Sequence, residues 1–560
     1  MKRINTTFFA LLLLFVCQVA YGQDVARISG SLQAQGNFFF RDTAIGASNT
    51  PQYDHQLYGA DSWLQLNYVY KGFDIGARFD LFNNSNLLDP QGSYTAQGIG
   101  RWYVKKTINS LGISAGYLYD QIGSGIIFRA FEQRPLLIDN ALYGIRLTYD
   151  INEDWKLKAF SGKQKQQFST YGAIIKGFSI DGFVASKKEG QSWTLSPGFG
   201  VVAKTLDDDL MRTVVSTINS YSVKDSIGAK YNTYAFTLYN TLNAGKFNWY
   251  VEGAYKTSEQ FFDPREIKHN RDSTTSSGRL VFENGTVLYS SLSYADKGFG
   301  ITLEAKRTEN FSFRTSPFVT GNQGAINFLP PMTRFNTYRL TTRYQAATQE
   351  LGENAYQADI KYAFSKKFQV GINGSYITDL EDENGETETL YKELYTEATY
   401  KYKRKWQITG GVQYQEYNQD RYEEKIGKDN VVAITPYVDF LYKISRKKAI
   451  RVEAQYMNAE EDYGSWIFGL AEFTMAPHWT FTVSDMYNVS PNPKKEEIPF
   501  GADGKKEKIH YPRFDVFYTF KSNRFSLSYV KQVEGIVCTG GICRLEPAFS
   551  GVKLAVNSTF

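Results

Sequence analysis

Side chains able to do chemistry are few and scattered in this chain. Its four histidines, His55, His269, His478 and His510, lie in candidate loops or at strand ends, without the H-x-x-x-H or H-E-x-x-H spacing that sets two imidazoles on one metal. Each reads as a surface or interfacial histidine, and no Ser–His pair is singled out for hydrolysis, so no enzyme activity is expected. The acidic run 379–388 (DLEDENGETE) offers carboxylates for calcium. It fails the EF-hand spacing, because Leu380 would take the first ligand position if Gly385 were the sixth. A solvated outer loop is favoured, and neither a metal nor a cofactor is expected.

Two groupings are more specific. Cys538 and Cys543 flank a short stretch containing Gly540 and Gly541, which lets their Cβ atoms approach across a tight loop, and an exported chain meets an oxidising compartment. A disulfide that staples the last outer hairpin is expected over free thiols or a metal pair, since zinc would need further ligands. Asp120, Arg129, Glu132, Arg134 and Asp139 follow one another around Gly123 and Gly125. Glycines there relieve strand crowding or make a bulge that aims side chains inward. The charges read either as a constriction or loop-docking site in a lumen, or as a salt-bridged outer rim.

The elements that must position these residues are strands. Val552, Leu554, Val556 and Phe560 alternate with Lys553, Ala555, Asn557 and Thr559 up to the C-terminus. A closing strand of period two that ends on an aromatic is how a membrane β-barrel finishes. These four residues are read as the C-terminal assembly signal for the barrel-assembly machinery. The same alternation puts Ile450, Val452, Ala454 and Tyr456 on one face and Arg451, Glu453 and Gln455 on the other.

About 24 such segments (range about 22 to 26) predict an all-β, transmembrane antiparallel barrel. Short turns near Gly72, Asn109, Asn152, Lys188, Gly245, Lys297, Lys366, Arg404, Arg446, Pro477 and Ser522 alternate with longer connections. Barrels of this kind have short periplasmic turns and long outer loops, so the chain should start and end on the periplasmic side. That parity assigns residues 338–344, strand-like in isolation, to a long outer connection over 314–353. A barrel this wide needs a plug or holds an aqueous channel. The connections 206–231, 260–284, 314–353 and 491–508 are the available filling, because strands are expected to begin almost at Gln23 and no separate N-terminal plug domain is expected.

Lys2 and Arg3, the apolar stretch 8–19 and the small-x-small Ala20-Tyr21-Gly22 read as a signal peptide over 1–22, leaving 23–560 as a single barrel domain. No later apolar run reaches the ~20 residues of a spanning helix. With 40 Tyr, 40 Phe and 8 Trp in 560 residues, the chain is rich in the rings that form interfacial girdles. Removing Lys2 and Arg3 takes the formal charge from +5 to +3. No basic tract accompanies it, so no nucleic-acid partner is expected.

Residues 116–129, 139–149, 509–511 and above all 529–549 (YVKQVEGIVCTGGICRLEPAF) resemble an outer-membrane barrel family of Gram-negative bacteria known only as a domain of unknown function. The likeness runs along most of the mature chain, and EGIVCxGGICR is its most specific part. It implies a large barrel in the outer membrane, in contact with outer-membrane lipid, and lends no catalytic residue or substrate. From the barrel and its polar inner face, the function expected first is a passive porin-like channel for polar solutes. The alternative is a scaffold barrel plugged by its own loops, which docks a protein partner at its outer loops in a secretion, adhesion or envelope-assembly complex.

Overall fold

The computed structural model describes residues 26–186, 192–321, 323–380, 385–539 and 542–560. The expected signal peptide and its cleavage site lie outside these residues. Side chains that alternate across an extended backbone need a partner strand on each edge. Here 24 strands supply them in one closed antiparallel barrel, from Arg27–Phe39 to Phe549–Thr559, taking Val184–Ala185 as the end of Ser169–Gly182. Closure comes from the first and last strands, which pair from Ser31 opposite Thr559 to Phe39 opposite Gly551. The barrel sheet therefore has no edge strand among the described residues. Gly30 and Phe560 extend the seam by two backbone hydrogen bonds, of 2.8 and 3.0 Å. Gly30 lacks a side chain where the Phe560 ring lies, and a Cβ there would sit 2.5 Å from the ring.

The assigned faces hold. Val452 is 46% exposed on the outer surface, whereas its neighbours Glu453 and Gln455 are 5% and 3% exposed inside the barrel. Leu238, Leu288, Tyr356, Leu394, Phe514 and Leu527 likewise stand exposed on the outside. Such a belt is far larger than the apolar patches soluble proteins tolerate. The expected short turns collect at one rim, except that the turn near Lys188 lies outside the described residues, and aromatic rings meet along that rim. Phe247 contacts Tyr294, Tyr294 contacts Phe299, Phe299 contacts Tyr362, and Trp406 and Trp479 continue the girdle among their own neighbours.

Long connections gather at the other rim, with one correction. Residues 260–284 are mostly strand: Phe247–His269 and Thr275–Asp296 run past the other strands as one long hairpin. The helix Asp208–Asn219, capped by the Asp207 side chain on the Leu210 N–H at 2.8 Å, lays Met211, Val214 and Ile218 against Leu280 and Tyr221 beside it.

Candidate functional site

The candidate site is the plug that fills the lumen towards the long-loop rim, built from two in-folded segments. The first is 119–141. Sequence alternation predicts a strand over 112–128, but the wall strand ends at Leu118. Gly123 and Gly125 adopt φ of +55° and +105°, and the chain turns inward there. Two short ladders form in the lumen, Asp120–Ile122 with Phe128–Ala130 and Glu132–Gln133 with Ile138–Asp139. The tip docks on the wall through Glu252, which accepts from the Ser124 N–H and the Thr237 hydroxyl, both at 2.8 Å. A Cβ on Gly123 would lie 2.6 Å from the Glu252 carboxylate, so the turn needs glycine for space as well as for φ.

Charge fixes this hairpin to the wall. Arg78 is almost fully buried and donates to both oxygens of Asp80, at 2.6 and 2.7 Å, to Asp139 at 2.7 Å, and to Glu132. Lys165 also pairs with Asp139, which accepts from the Tyr119 hydroxyl at 2.8 Å. Asp120 binds Arg146 at 3.0 Å and Lys158 at 2.8 Å, and Arg134 reaches Glu132 at 2.9 Å. The structure thus brings Glu132, Arg134 and Asp139 together around Arg78, while Asp120 is held separately by Arg146 and Lys158. Arg129 stands apart, its guanidinium over the rings of Phe328 and Phe131 at 4.2 and 4.7 Å. Sequence reasoning missed the wall partners Arg78, Asp80, Arg146, Lys158 and Lys165. The available signal was Arg78 and Asp80 two apart on one strand, hence on one face.

The second segment is 310–351, in which no strand is formed among the described residues; 338–344 lies within it, as the parity requires. Phe311, Phe313, Ile326 and Leu340 are buried in one apolar cluster with wall residues from around the barrel, among them Ile175, Val202, Tyr391, Met457 and Trp466. A buried segment without secondary structure must satisfy its backbone elsewhere. Inward side chains of the wall do so: Gln455 accepts from the Leu340 N–H at 2.8 Å, while Gln415 and Gln413 donate to the Tyr344 and Thr341 carbonyls at 3.0 and 3.2 Å. At its base Lys306 pairs with Glu353 at 2.7 Å, both fully buried. The two segments join where Arg129 N–H donates to the Ile326 carbonyl at 2.9 Å and Phe328 N–H to the Gly125 carbonyl at 3.0 Å. A cavity of about 530 Å3 remains beside them, lined by Trp63, Arg78, Glu132, Arg134, Tyr171 and Tyr422 among others.

A family model described as "Family of unknown function (DUF6029)" matches residues 1–560. The chain belongs to that family. No curated protein matches it. Among solved structures, the siderophore receptor PirA from Pseudomonas aeruginosa aligns over 96% of this chain and 81% of its own, at 8% identity and a TM-score of 0.41. The P pilus usher PapC translocation pore aligns over 96% of this chain and 99% of its own, at 7% identity and 0.40. OccK1 (OpdK) of Pseudomonas aeruginosa aligns over 70% and 93%, at 11% identity and 0.36.

Above the plug of this DUF6029 member, Asp462 ties separate loops together. It binds Lys495 at 2.8 Å, the Tyr344 hydroxyl at 3.0 Å, Lys425 at 3.4 Å and Arg343 at 3.8 Å. Burial pushes its carboxyl up, but Lys495, Lys425 and Arg343 outweigh that and hold it below the usual carboxylate range. In the acidic run, Asp379 and Glu388 each pair with Arg421 at 2.7 Å, while residues 381–384 lie outside the described residues.

The cysteines fall on the hairpin Gly535–Thr539 and Ile542–Glu546, whose backbone register sets Cys538 opposite Cys543. Their side chains, and Gly540 and Gly541 at the turn, lie outside the described residues. Of the histidines, His269 contacts Asp225 at 3.0 Å, His510 contacts Asp485 at 2.6 Å and His478 contacts the Thr519 carbonyl at 2.8 Å. Among the described residues no group of three or more His, Cys, Asp or Glu is arranged to hold a metal ion.

Proposed function

We propose that this chain is a non-catalytic outer-membrane scaffold barrel, closed at rest by its own loops, which presents its long-loop rim to a protein partner. The observation that carries this reading is the apolar cluster that joins residues 311–346 to wall strands around the lumen. An apolar core spanning the lumen excludes the water column that a constitutive pore needs. The apolar belt and the aromatic girdle support a membrane position, with the short-turn rim periplasmic. Export through the signal peptide and insertion by the barrel-assembly machinery through the terminal strand belong to the same reading. For the partner, the outer end of the long hairpin, residues 257–285, which extends beyond the pairing with the neighbouring wall strands, is with the helix Asp208–Asn219 the element offered.

A porin-like role for polar solutes is the second reading, and the ionic fastening of 119–141 favours it, since charge pairs can be exchanged for water or solute. Single-channel recording of the purified protein in a planar bilayer separates the two. Silence is expected; a stable ohmic conductance would overturn the closed-barrel reading and put the channel first.

A further inference from the structure

The plug does not meet the wall everywhere. Beside the strands Gly464–Met475, Trp479–Pro491, His510–Phe520 and Asn523–Gln532 it leaves a cavity of about 360 Å3. Four cations line it, Arg339 from the plug and Arg513, Arg524 and Lys531 from the wall, against two carboxylates, Glu472 and Asp515.

Their partners are unevenly distributed. Arg513 donates to both oxygens of Asp515, at 3.0 and 2.9 Å, and Lys531 pairs with Asp42 at 2.7 Å. Arg524 lies over the Phe517 ring at 4.4 Å and forms no ion pair among the described residues. Arg339 is the outlier. Arg343, four residues on, is enclosed by Trp466, Tyr463 and Tyr344 and faces Asp462. No carboxylate lies within 4 Å of the Arg339 guanidinium among the described residues; Arg343 and Arg513 repel it, and Glu546 attracts it only from further away. A guanidinium drawn partly out of water without a counter-charge is costly, and a carboxylate or phosphate is the partner its fork geometry fits. Phe468, Leu470 and Met486 give the same cavity an apolar side.

We propose that this crevice between plug and wall binds a small diffusible oxyanion, a carboxylate or phosphate, held between Arg339 and the wall cations Arg513 and Arg524. The site is independent of whether the barrel conducts, because a closed lumen can still hold a solute that enters from one rim.

Calorimetric titration of inorganic phosphate into the folded, full-length protein in detergent tests it, with succinate as competitor and sodium chloride matching the ionic strength. Saturable phosphate binding displaced by succinate and not by chloride is expected. Arg339→Gln should weaken it at least tenfold, Arg339→Lys less, and Lys505→Gln on an exposed outer loop not at all. Folding is checked by heat-dependent mobility on gels; should Arg339→Gln fail to fold, Arg524→Gln carries the test. No saturable binding by the wild type, or unchanged binding in the folded Arg339→Gln and Arg524→Gln variants, overturns the proposal.

Discussion

Arg78 on the wall and Asp139 on the in-folded hairpin meet at 2.7 Å, although they are 61 positions apart in sequence. Arg78 is also the shared cation for Asp80 and Glu132, so removing it would leave three carboxylates with only Lys165, on Asp139, and Arg134, on Glu132, to balance them. Breaking a buried charge network from one side costs about 3 to 5 kcal/mol, mostly from the charges left behind. Arg78→Ala is therefore expected to loosen 119–141 and turn a silent barrel into one with intermittent conductance. Arg78→Lys, which keeps the charge and loses the fork, should fall between. Bilayer recordings in which Arg78→Ala stayed as silent as the wild type would show that Glu252 and the second loop hold the plug without this latch.

Adjacent residues on one strand should respond oppositely. Val452 faces outward and Arg451 inward, where it pairs with Asp439 at 2.8 Å and with Glu453. Val452→Arg puts a cation into lipid at about 2 to 4 kcal/mol near the midplane, and assembly should fail or fall sharply. Arg451→Ala removes a cation that is itself about a third exposed and leaves Glu453 with the Gln455 amide as donor, so it should cost less than the outward charge and still allow assembly. Folded fractions from heat-dependent gel mobility measure both, and the reverse order would invert the face assignment of the whole strand.

The barrel wall was readable because period-two alternation is a local signal that repeats at every strand, and the turns supplied an independent parity. Residues 260–269 and 275–284 escaped because register shifts after Lys256 and after Asp263 break the alternation, so strand looked like loop. The hairpin 119–141 erred the other way: apolar residues up to Phe128 continue the pattern, and only two glycine φ angles turn the chain inward. The plug's fastening could not be read at all, since Gln455 with Leu340, or Arg78 with Glu132, are pairings that only the closed barrel creates.

The cysteine pair can now be tested against a backbone. Residues directly opposite in an antiparallel ladder have Cα atoms about 4.5 to 5.5 Å apart, within the range a disulfide spans, and Cys538 and Cys543 are so placed. Protein purified from the cell envelope should resist alkylation by a maleimide–polyethylene glycol until reduced, then take up two equivalents. The loop is short, so the bridge should add only about 2 kcal/mol and act locally. Ready labelling without reductant would mean free thiols.

Acid should release the outer loops before it touches the wall. Asp462 has its carboxyl held below the ordinary range, because Lys495, Lys425 and Arg343 outweigh its burial. A group whose folded value is depressed contributes its full stabilisation above its unfolded value, about 3.9, and loses it as pH falls through the folded one. Hydrogen exchange of 418–430, 458–463 and 492–509 should therefore be flat from about pH 7 to 5, once corrected for intrinsic rates, and accelerate only below about pH 4. Asp462→Asn should expose the same three segments at neutral pH, since it keeps the shape and removes the charge that Lys425 and Lys495 share. Barrel strands should stay protected in both cases, because their ladders close on themselves and carry no dependence on this carboxylate. If Asp462→Asn left all three loops as protected as in the wild type, the aromatic packing around Arg343, with Trp466 at 4.9 Å, would be what fastens them.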